Sequence, residues 1–518
     1  MVGFARIVLC ITLQTIFADA ARILAVYPVP SISHQITFRP ITLELIKRGH
    51  EVVVMTPDPM FKKGETPANL TEIDVHDLSY QAWQVFMESA KGKKEDLITQ
   101  MRVASEMLID LVDLQLQNKE VKEIIKGKQH FDLLLVEACI RPILAFSQVY
   151  KVPMIQISSF GAMFENYPVI GAPTHPFLYP SNMNQRIYNL TIYEKLYELY
   201  NNYMLDRLFN GMADVEHKML KKHFGPDIPH ITELQNRIDM LFLNVNPIWE
   251  GIRPVPPSVI HLGGLPQKPH KELPQDLKTY LDSSKNGVIY ISFGTNVKPS
   301  LLPAEKIQTL IKAFSKMPYD VLWKWDKDEL PGKSANIRIS KWLPQSDLLK
   351  HPKIKLFVTQ GGLQSTDEAI TAGVPLVGVP MLGDQWYNVE KYVHHGIGVK
   401  LELISLTEET FSTAVNTVIG DESYRKNINK LRTLMTDQPM KPLDRGIWWI
   451  EHVLRHGGAK HLRSPVANIS WAEYMEFELI AIVLSALLAV LAIAIGLVYS
   501  LYSFVTKNYV IKTKVKSS

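Results

Sequence analysis

Trp342 to Gln385 is the stretch that most limits what this chain can fold into. It holds two short apolar strands, Leu356 to Val358 and Pro375 to Val379, and each feeds a polar turn that contains glycine. Between them Thr366 to Thr371 reads as a short helix, with Gly373 as its stop. A strand, the Gly361-Gly362 turn and then a helix N-terminus make a cradle for a phosphate. Small residues let a diphosphate approach the backbone, and unpaired N–H groups at the positive end of the helix dipole face it.

The groups around that cradle suit the rest of a nucleotide sugar. Trp342 offers a flat face to a base, Gln345 an amide to its edge, and Glu368 a carboxylate to ribose hydroxyls. Asp384 and Gln385, past the second strand, suit the hydroxyls of a sugar. The whole run resembles the signature of the UDP-glycosyltransferases, glycosyltransferase family 1. Its Gln-Gly-Gly-Leu-Gln-Ser-Thr form, residues 360–366, is similar to the insect membrane-bound members. Through it the resemblance adds Gln360, Gly361, Gly362, Gln364 and Ser365 to the donor-binding set. Most relatives carry His where this chain has Gln360, and an amide N–H donates the same bond to a phosphate without the charge.

At 518 residues the chain is too long for one ordinary core and suggests two domains with appendages. A formal net charge of +4, with 21% charged residues and no long basic run, argues against a nucleic-acid partner. Arg6, the apolar run Ile7 to Phe17 and then Ala18-Asp19-Ala20 have the layout of a signal peptide over residues 1–20. Its removal takes Cys10 away and leaves Cys139 without an internal disulfide partner. Three sequons, at Asn69, Asn189 and Asn468, fit a lumenal glycoprotein. Leu479 to Thr506 carries no charge and is long enough to span a bilayer, with Lys507, Lys512, Lys514 and Lys516 beyond it. The expectation is a single-pass type I protein with a cytosolic tail over 507–518. The closing residues are similar to a dilysine retrieval signal, which points to the endoplasmic reticulum membrane.

After residue 20 the chain opens as a strand, Arg22 to Tyr27, a loop from Pro28 to His34, a helix stopped by Gly49, and a second strand, Glu51 to Met55. This β-α-β start predicts a parallel, doubly wound sheet. Its loop lacks the G-x-G-x-x-G of a dinucleotide site. Instead it places His34 beyond the carboxyl end of the first strand, where open α/β sheets put their ligands. Phe131 to Val136, Val152 to Ile157 and Met240 to Val245 read as further strands, with Glu137 at the end of the first of these. A lone loop histidine and a strand-end carboxylate are ordinarily solvated residues. The resemblance implies that His34 is the catalytic base and that Glu137, in the place of the family's Asp, orients it.

Prolines and glycines accumulate over 253–286, which reads as a linker between an N-terminal domain at 21–252 and a C-terminal domain at 287–444. Arg253 matches an arginine that some relatives use near a donor carboxylate. The second domain begins with the strand Val288 to Ser292, and its Ser-Phe-Gly-Thr turn makes Ser292 and Thr295 candidates for the diphosphate. Ile307, Leu310, Ile311 and Phe314 form a core stripe. Trp323 and Trp325 read as packing. Arg445 to Arg463 reads as a helix that folds back on the body, within a return and juxtamembrane segment, 445–478, that leads to the span at 479–506.

The resemblance thus implies the GT-B fold, two facing Rossmann-like domains with the acceptor on the first and a UDP-sugar on the second. It implies inverting transfer, glucose being the sugar of insect relatives and Arg253 leaving glucuronic acid open. The acceptor is a hydroxyl of a small lipophilic molecule, in detoxification or in hormone or pigment conjugation. The UDP-sugar is a co-substrate, and no metal or other cofactor is expected. A second reading of the same residues is a membrane-anchored protein that binds a nucleotide sugar or lipophilic ligand without catalysis. Oligomeric state stays open, a homo-oligomer included.

Overall fold

The computed structural model describes residues 20–89, 96–163, 165–266, 270–295 and 297–516. The expected signal peptide and Cys10 lie outside the described residues. The described residues up to Ser464 and those from Pro465 onward form two compact units.

The first unit is built on two sheets. Seven strands make one of them: β1 (Arg22–Val26), β2 (Glu51–Thr56), β3 (Leu70–Asp74), β4 (Leu133–Glu137), β5 (Met154–Ser158), β6 (Ile238–Leu243) and β7 (Val259–His261). Six make the other: β8 (Val288–Ser292), β9 (Asp320–Lys324), β10 (Ile337–Ser340), β11 (Ile354–Thr359), β12 (Leu376–Gly378) and β13 (Gly398–Lys400). The orders are β3-β2-β1-β4-β5-β6-β7 and β10-β9-β8-β11-β12-β13, and every pairing is parallel. Central strands such as β4 and β8 are apolar along their length because helices cover both faces. A parallel sheet puts all its carboxyl ends on one edge, so the residues just past the strands gather there.

The helices that position the site or flank it are α1 (Ile32–Lys47), α2 (Ile192–Phe224), α3 (Pro247–Glu250), α4 (Leu363–Ala372), α5 (Gln385–His394) and α6 (Pro442–His456), and the apolar tail is α7 (Phe477–Lys516). Helix α1 buries Phe38, Ile41 and Leu45 against the first sheet and ends at Gly49, whose φ of +94° suits glycine. Helix α6 lays Ile447, Ile450 and Val453 into the same core, and Arg48 reaches its Glu451 at 3.1 Å. The last helix of the first unit therefore returns to the first lobe, as the amphipathic pattern of 445–463 predicts. In the second unit α7 carries a stretch, Phe477–Tyr509, long and apolar enough to cross a membrane.

Several expectations need correcting. The stretch 253–286 is more than a connector, since β7 completes the first sheet from inside it and Gln275–Ser283 is helical. Three residues among prolines carry no alternation to read, and only pairing with β6 makes them a strand. The short strands β3, β10 and β13 carry too little pattern to be read for the same reason. The helix expected at 366–371 starts earlier, at Leu363. Asn69 donates both Nδ2 hydrogens to the end of α1, at 2.7 Å to the Ile46 carbonyl and 2.9 Å to that of His50. It is thus a helix-terminating side chain with both N–H groups engaged. Asn189 is exposed, two residues before the Thr191–Glu194 capping box of α2, and Asn468 is in the second unit.

Candidate active site

His34 sits in the first turn of α1, not in the preceding loop, because Ser31 takes the N-cap position. Gln35 fixes that entry. Its Nε2 donates to the carbonyls of Tyr27 and Val29, each at 3.0 Å, and its Oε1 accepts from the Thr56 hydroxyl at 3.0 Å. The backbone from β1 into α1 is thereby tied to β2. His34 Nδ1 lies 2.6 Å from Glu137 Oε1, so the longer side chain at the end of β4 does reach the imidazole. The other carboxylate oxygen accepts from Val29 N–H at 3.2 Å, and Glu137 is fully buried. Two bonds on two oxygens leave the carboxylate one orientation. The Phe160 ring meets the imidazole edge-on at 5.6 Å.

On the second lobe the strand ends converge as the pattern predicts. Gly361 has φ +93°, and a Cβ there would lie 2.5 Å from the Val389 side chain and 3.0 Å from the Gln385 carbonyl, so only glycine closes this turn. Gly362 takes the N-cap position of α4 and has no side chain to cap it; the Asp384 carboxylate accepts from the Leu363 N–H, and the N–H groups of Gln364 and Ser365 beyond it are left to an anion. Gln364 and Ser365 lie in that turn and are half-buried. Gln360 is buried, packs on Gly294, and has an Oε1 without a hydrogen-bond partner. Ser292 Oγ accepts from Gly294 N–H at 3.3 Å, and Thr295 is exposed beside it.

Asp384 closes the cradle. Burial pushes its carboxyl up to about 6, while bonds from Asn388 and backbone N–H groups pull it down. His34 of the first lobe lies within electrostatic reach of this carboxylate of the second. Asn388, one turn into α5, holds the arrangement. Its Nδ2 donates to Asp384 at 2.8 Å and to the Gly361 carbonyl at 2.9 Å, and its Oδ1 accepts from the buried Trp249 indole of α3 at 2.9 Å.

Other candidates turn out to have different duties. Gln345 is spent on protein partners: its Oε1 accepts from Tyr290 at 2.8 Å, and its Nε2 donates to Ser365 at 2.9 Å and to Glu368 at 2.7 Å. It positions Glu368, whose carboxyl burial holds above its usual range, and does not itself offer an edge to a base. Gln385 Oε1 accepts from the N–H groups of Met381 and Leu382, both at 2.8 Å, and so shapes the turn that carries Asp384. Arg253 stacks on the Tyr167 ring at 3.8 Å and donates to the Tyr179 carbonyl at 2.9 Å, both in the first lobe. Trp342 is 62% exposed, an open face for a flat ligand. Lys324, missed in the sequence, lies over that indole at 4.7 Å and donates to the Gly294 carbonyl at 2.9 Å. Its place at the end of β9 was the available signal. Asn388 was missed as well, although it lies within four residues of two recognised candidates, Asp384 and Gln385.

A helix N-terminus in a glycine turn, with a buried carboxylate beside it and a histidine–glutamate pair within its electrostatic reach, is a setting for moving a group off a diphosphate. The comparisons agree. Residues 22–514 match the family model described as UDP-glucoronosyl and UDP-glucosyl transferase. The chain belongs to the UDP-glycosyltransferase family. It is 38% identical over 480 residues to an ecdysteroid UDP-glucosyltransferase of Lymantria dispar multicapsid nuclear polyhedrosis virus, covering 90% of this chain and 94% of that one. It is 30% identical over 494 residues to the UDP-glycosyltransferase UGT5 of Dactylopius coccus, covering 92% and 91%. Among solved structures, the kitacinnamycin glycosyltransferase superposes with a TM-score of 0.59 at 19% identity, over 84% of this chain and all of that one. The glycosyltransferase VinC in complex with dTDP does so at 0.57 and 16%, with the same coverage. These neighbours give the fold as GT-B. This UDP-glycosyltransferase is an enzyme that transfers a sugar from a UDP-sugar.

Proposed function

We propose that this UDP-glycosyltransferase moves glucose, with inversion, from UDP-glucose to a hydroxyl of a small lipophilic acceptor, in detoxification or hormone or pigment conjugation. The observation that carries the reading is the 2.6 Å His34–Glu137 pair within electrostatic reach of Asp384, beside the N-terminus of α4. Glu137 accepts the Nδ1 proton of His34, which leaves Nε2 with a lone pair to receive the acceptor's proton. As that proton moves, the hydroxyl oxygen forms its bond to the anomeric carbon. The bond from that carbon to the diphosphate breaks, and UDP leaves with the electron pair from the opposite face. The N–H groups of α4 and the Gly361-Gly362 turn meet the charge that grows on the diphosphate, so no metal or other cofactor is assigned a role. Glucose is favoured by the relatives named as UDP-glucosyltransferases and by Arg253, which is engaged with Tyr167 and Tyr179. The names of the viral relatives make hydroxysteroids the first acceptors to test, beside simple phenols. The stretch Phe477–Tyr509 is assigned as a single membrane anchor, with the sugar-transfer lobes on the lumenal side of the endoplasmic reticulum.

A donor-by-acceptor screen on microsomes that express the full chain tests the reading. UDP-glucose with a lipophilic alcohol or phenol should give a β-linked product, and release of UDP without any glycoside would contradict it. Two further outcomes rest on single side chains. Trp342→Ala should raise the KM for UDP-glucose about tenfold, as loss of one stacking face does, with little change in kcat; an unchanged donor KM removes Trp342 from the base site. Ionised Asp384 offers both oxygens as acceptors to sugar hydroxyls, whereas protonation turns one of them into a donor, and burial raises its carboxyl to about 6. The donor kcat/KM should therefore rise with pH through about 6, and Asp384→Asn should lose that limb of the profile along with most of the affinity.

A further inference from the structure

Cys139 takes no part in the chemistry above, yet it closes a triangle with the two residues that do. Ligand atoms of His34, Glu137 and Cys139 all lie within 4.8 Å of one another. The Cys139 sulfur sits beside the Glu137 carboxylate, which also holds His34 Nδ1 at 2.6 Å. We propose that these three side chains bind a thiophilic divalent cation, Zn²⁺ above all, and that its binding turns the enzyme off.

Imidazole, carboxylate and thiolate are the ligands Zn²⁺ takes, at about 2.0–2.3 Å, which sets tetrahedral ligand atoms about 3–4 Å apart. Movements of about an ångström bring the three into that spacing. Three protein ligands leave a fourth position for water. The Val29 N–H on the second Glu137 oxygen, at 3.2 Å, is an outer partner that fixes the carboxylate. Cys139 lines a cavity of about 50 Å³, and the His34 side chain is 18% exposed.

Inhibition follows from where the protons go. Zn²⁺ on Nδ1 takes the place of the hydrogen donated to Glu137, so neutral His34 carries its proton on Nε2 instead. The nitrogen that would receive the acceptor's proton is then already a donor. The thiol loses its proton to solvent as the Zn–S bond forms. The inhibitory half rests on His34 being the base; the metal site itself does not.

The test uses the full-length protein in detergent. Co²⁺ as a spectroscopic probe should give a thiolate-to-metal charge-transfer band that Zn²⁺ bleaches and that Cys139→Ser abolishes. Zn²⁺ should inhibit glucose transfer. With each variant scaled to its own metal-free rate, Cys139→Ser should need at least about tenfold more Zn²⁺ for half inhibition. Cys139→Ala provides the same comparison if the serine variant is unstable. No charge-transfer band, or equal Zn²⁺ sensitivity in the cysteine variants, overturns the site. A thiolate band with undiminished turnover keeps the site but overturns the switch and, with it, His34 as the base.

Discussion

Replacing His34 by alanine should lower kcat by about 10²- to 10⁴-fold, the usual worth of a general base, and leave UDP affinity where it was. The two halves of that result have separate causes. The imidazole stands on α1 of the first lobe, while the glycine turn and the N-terminus of α4 that would hold UDP belong to the second. Loss of the base therefore removes proton transfer and leaves nucleotide contacts intact. His34 is half-buried at the helix start and its backbone is held by Gln35 and Thr56, so the variant should keep its melting temperature within a few degrees. Steady-state kinetics beside calorimetric titration with UDP check both halves. Retained turnover removes His34 from the mechanism, and a matching loss of UDP binding points to a structural role.

Glu137→Gln should lower kcat by about 10²- to 10³-fold, although the side chain keeps its size. The wild-type carboxylate accepts from His34 Nδ1 on one oxygen and from Val29 N–H on the other. A glutamine has one oxygen to offer. With that oxygen toward His34, its NH₂ faces the Val29 N–H, donor against donor. Turned the other way, the NH₂ donates to Nδ1, drives the ring proton to Nε2, and the base is lost. In both arrangements the imidazolium formed during transfer lacks its counter-charge. Glu137→Asp keeps the charge and the acceptors, so it should recover most of the rate. A glutamine variant with full activity would show that the carboxylate does not set the imidazole.

Much of the second lobe was legible because its pattern is local. The strand, the Gly361-Gly362 turn and the helix after it are contiguous, so their joint role needs no knowledge of the rest of the chain. The core positions Ile307, Leu310, Ile311 and Phe314, and the packing of Trp323 and Trp325, were readable for the same reason. What failed depends on distant partners. Gln345 looks like a base-reading amide until Tyr290, Ser365 and Glu368 are seen to occupy it. Asn69 carries a sequon, but the carbonyls that end α1 claim its amide. Strand β7 exists only because β6 lies beside it. The pair His34–Glu137 lay between these cases. Each member stood at a strand's carboxyl edge, a place the parallel topology marks out, yet a sequence separation of 103 left the reach of the longer carboxylate to be measured. Asn388, bonded to both Asp384 and Trp249, could not be read without the contact between lobes.

The central claim is that an imidazole of the first lobe meets a sugar held by the second. Its most direct test is a crystal structure of the protein with UDP and an unreactive analogue of the acceptor. The account predicts the β-phosphate on the N–H groups of Gly361, Gly362 and the first turn of α4, with the acceptor oxygen at hydrogen-bond distance, about 2.6–3.2 Å, from His34 Nε2. UDP bound elsewhere, or an acceptor oxygen out of reach of that nitrogen while UDP occupies the cradle, contradicts it.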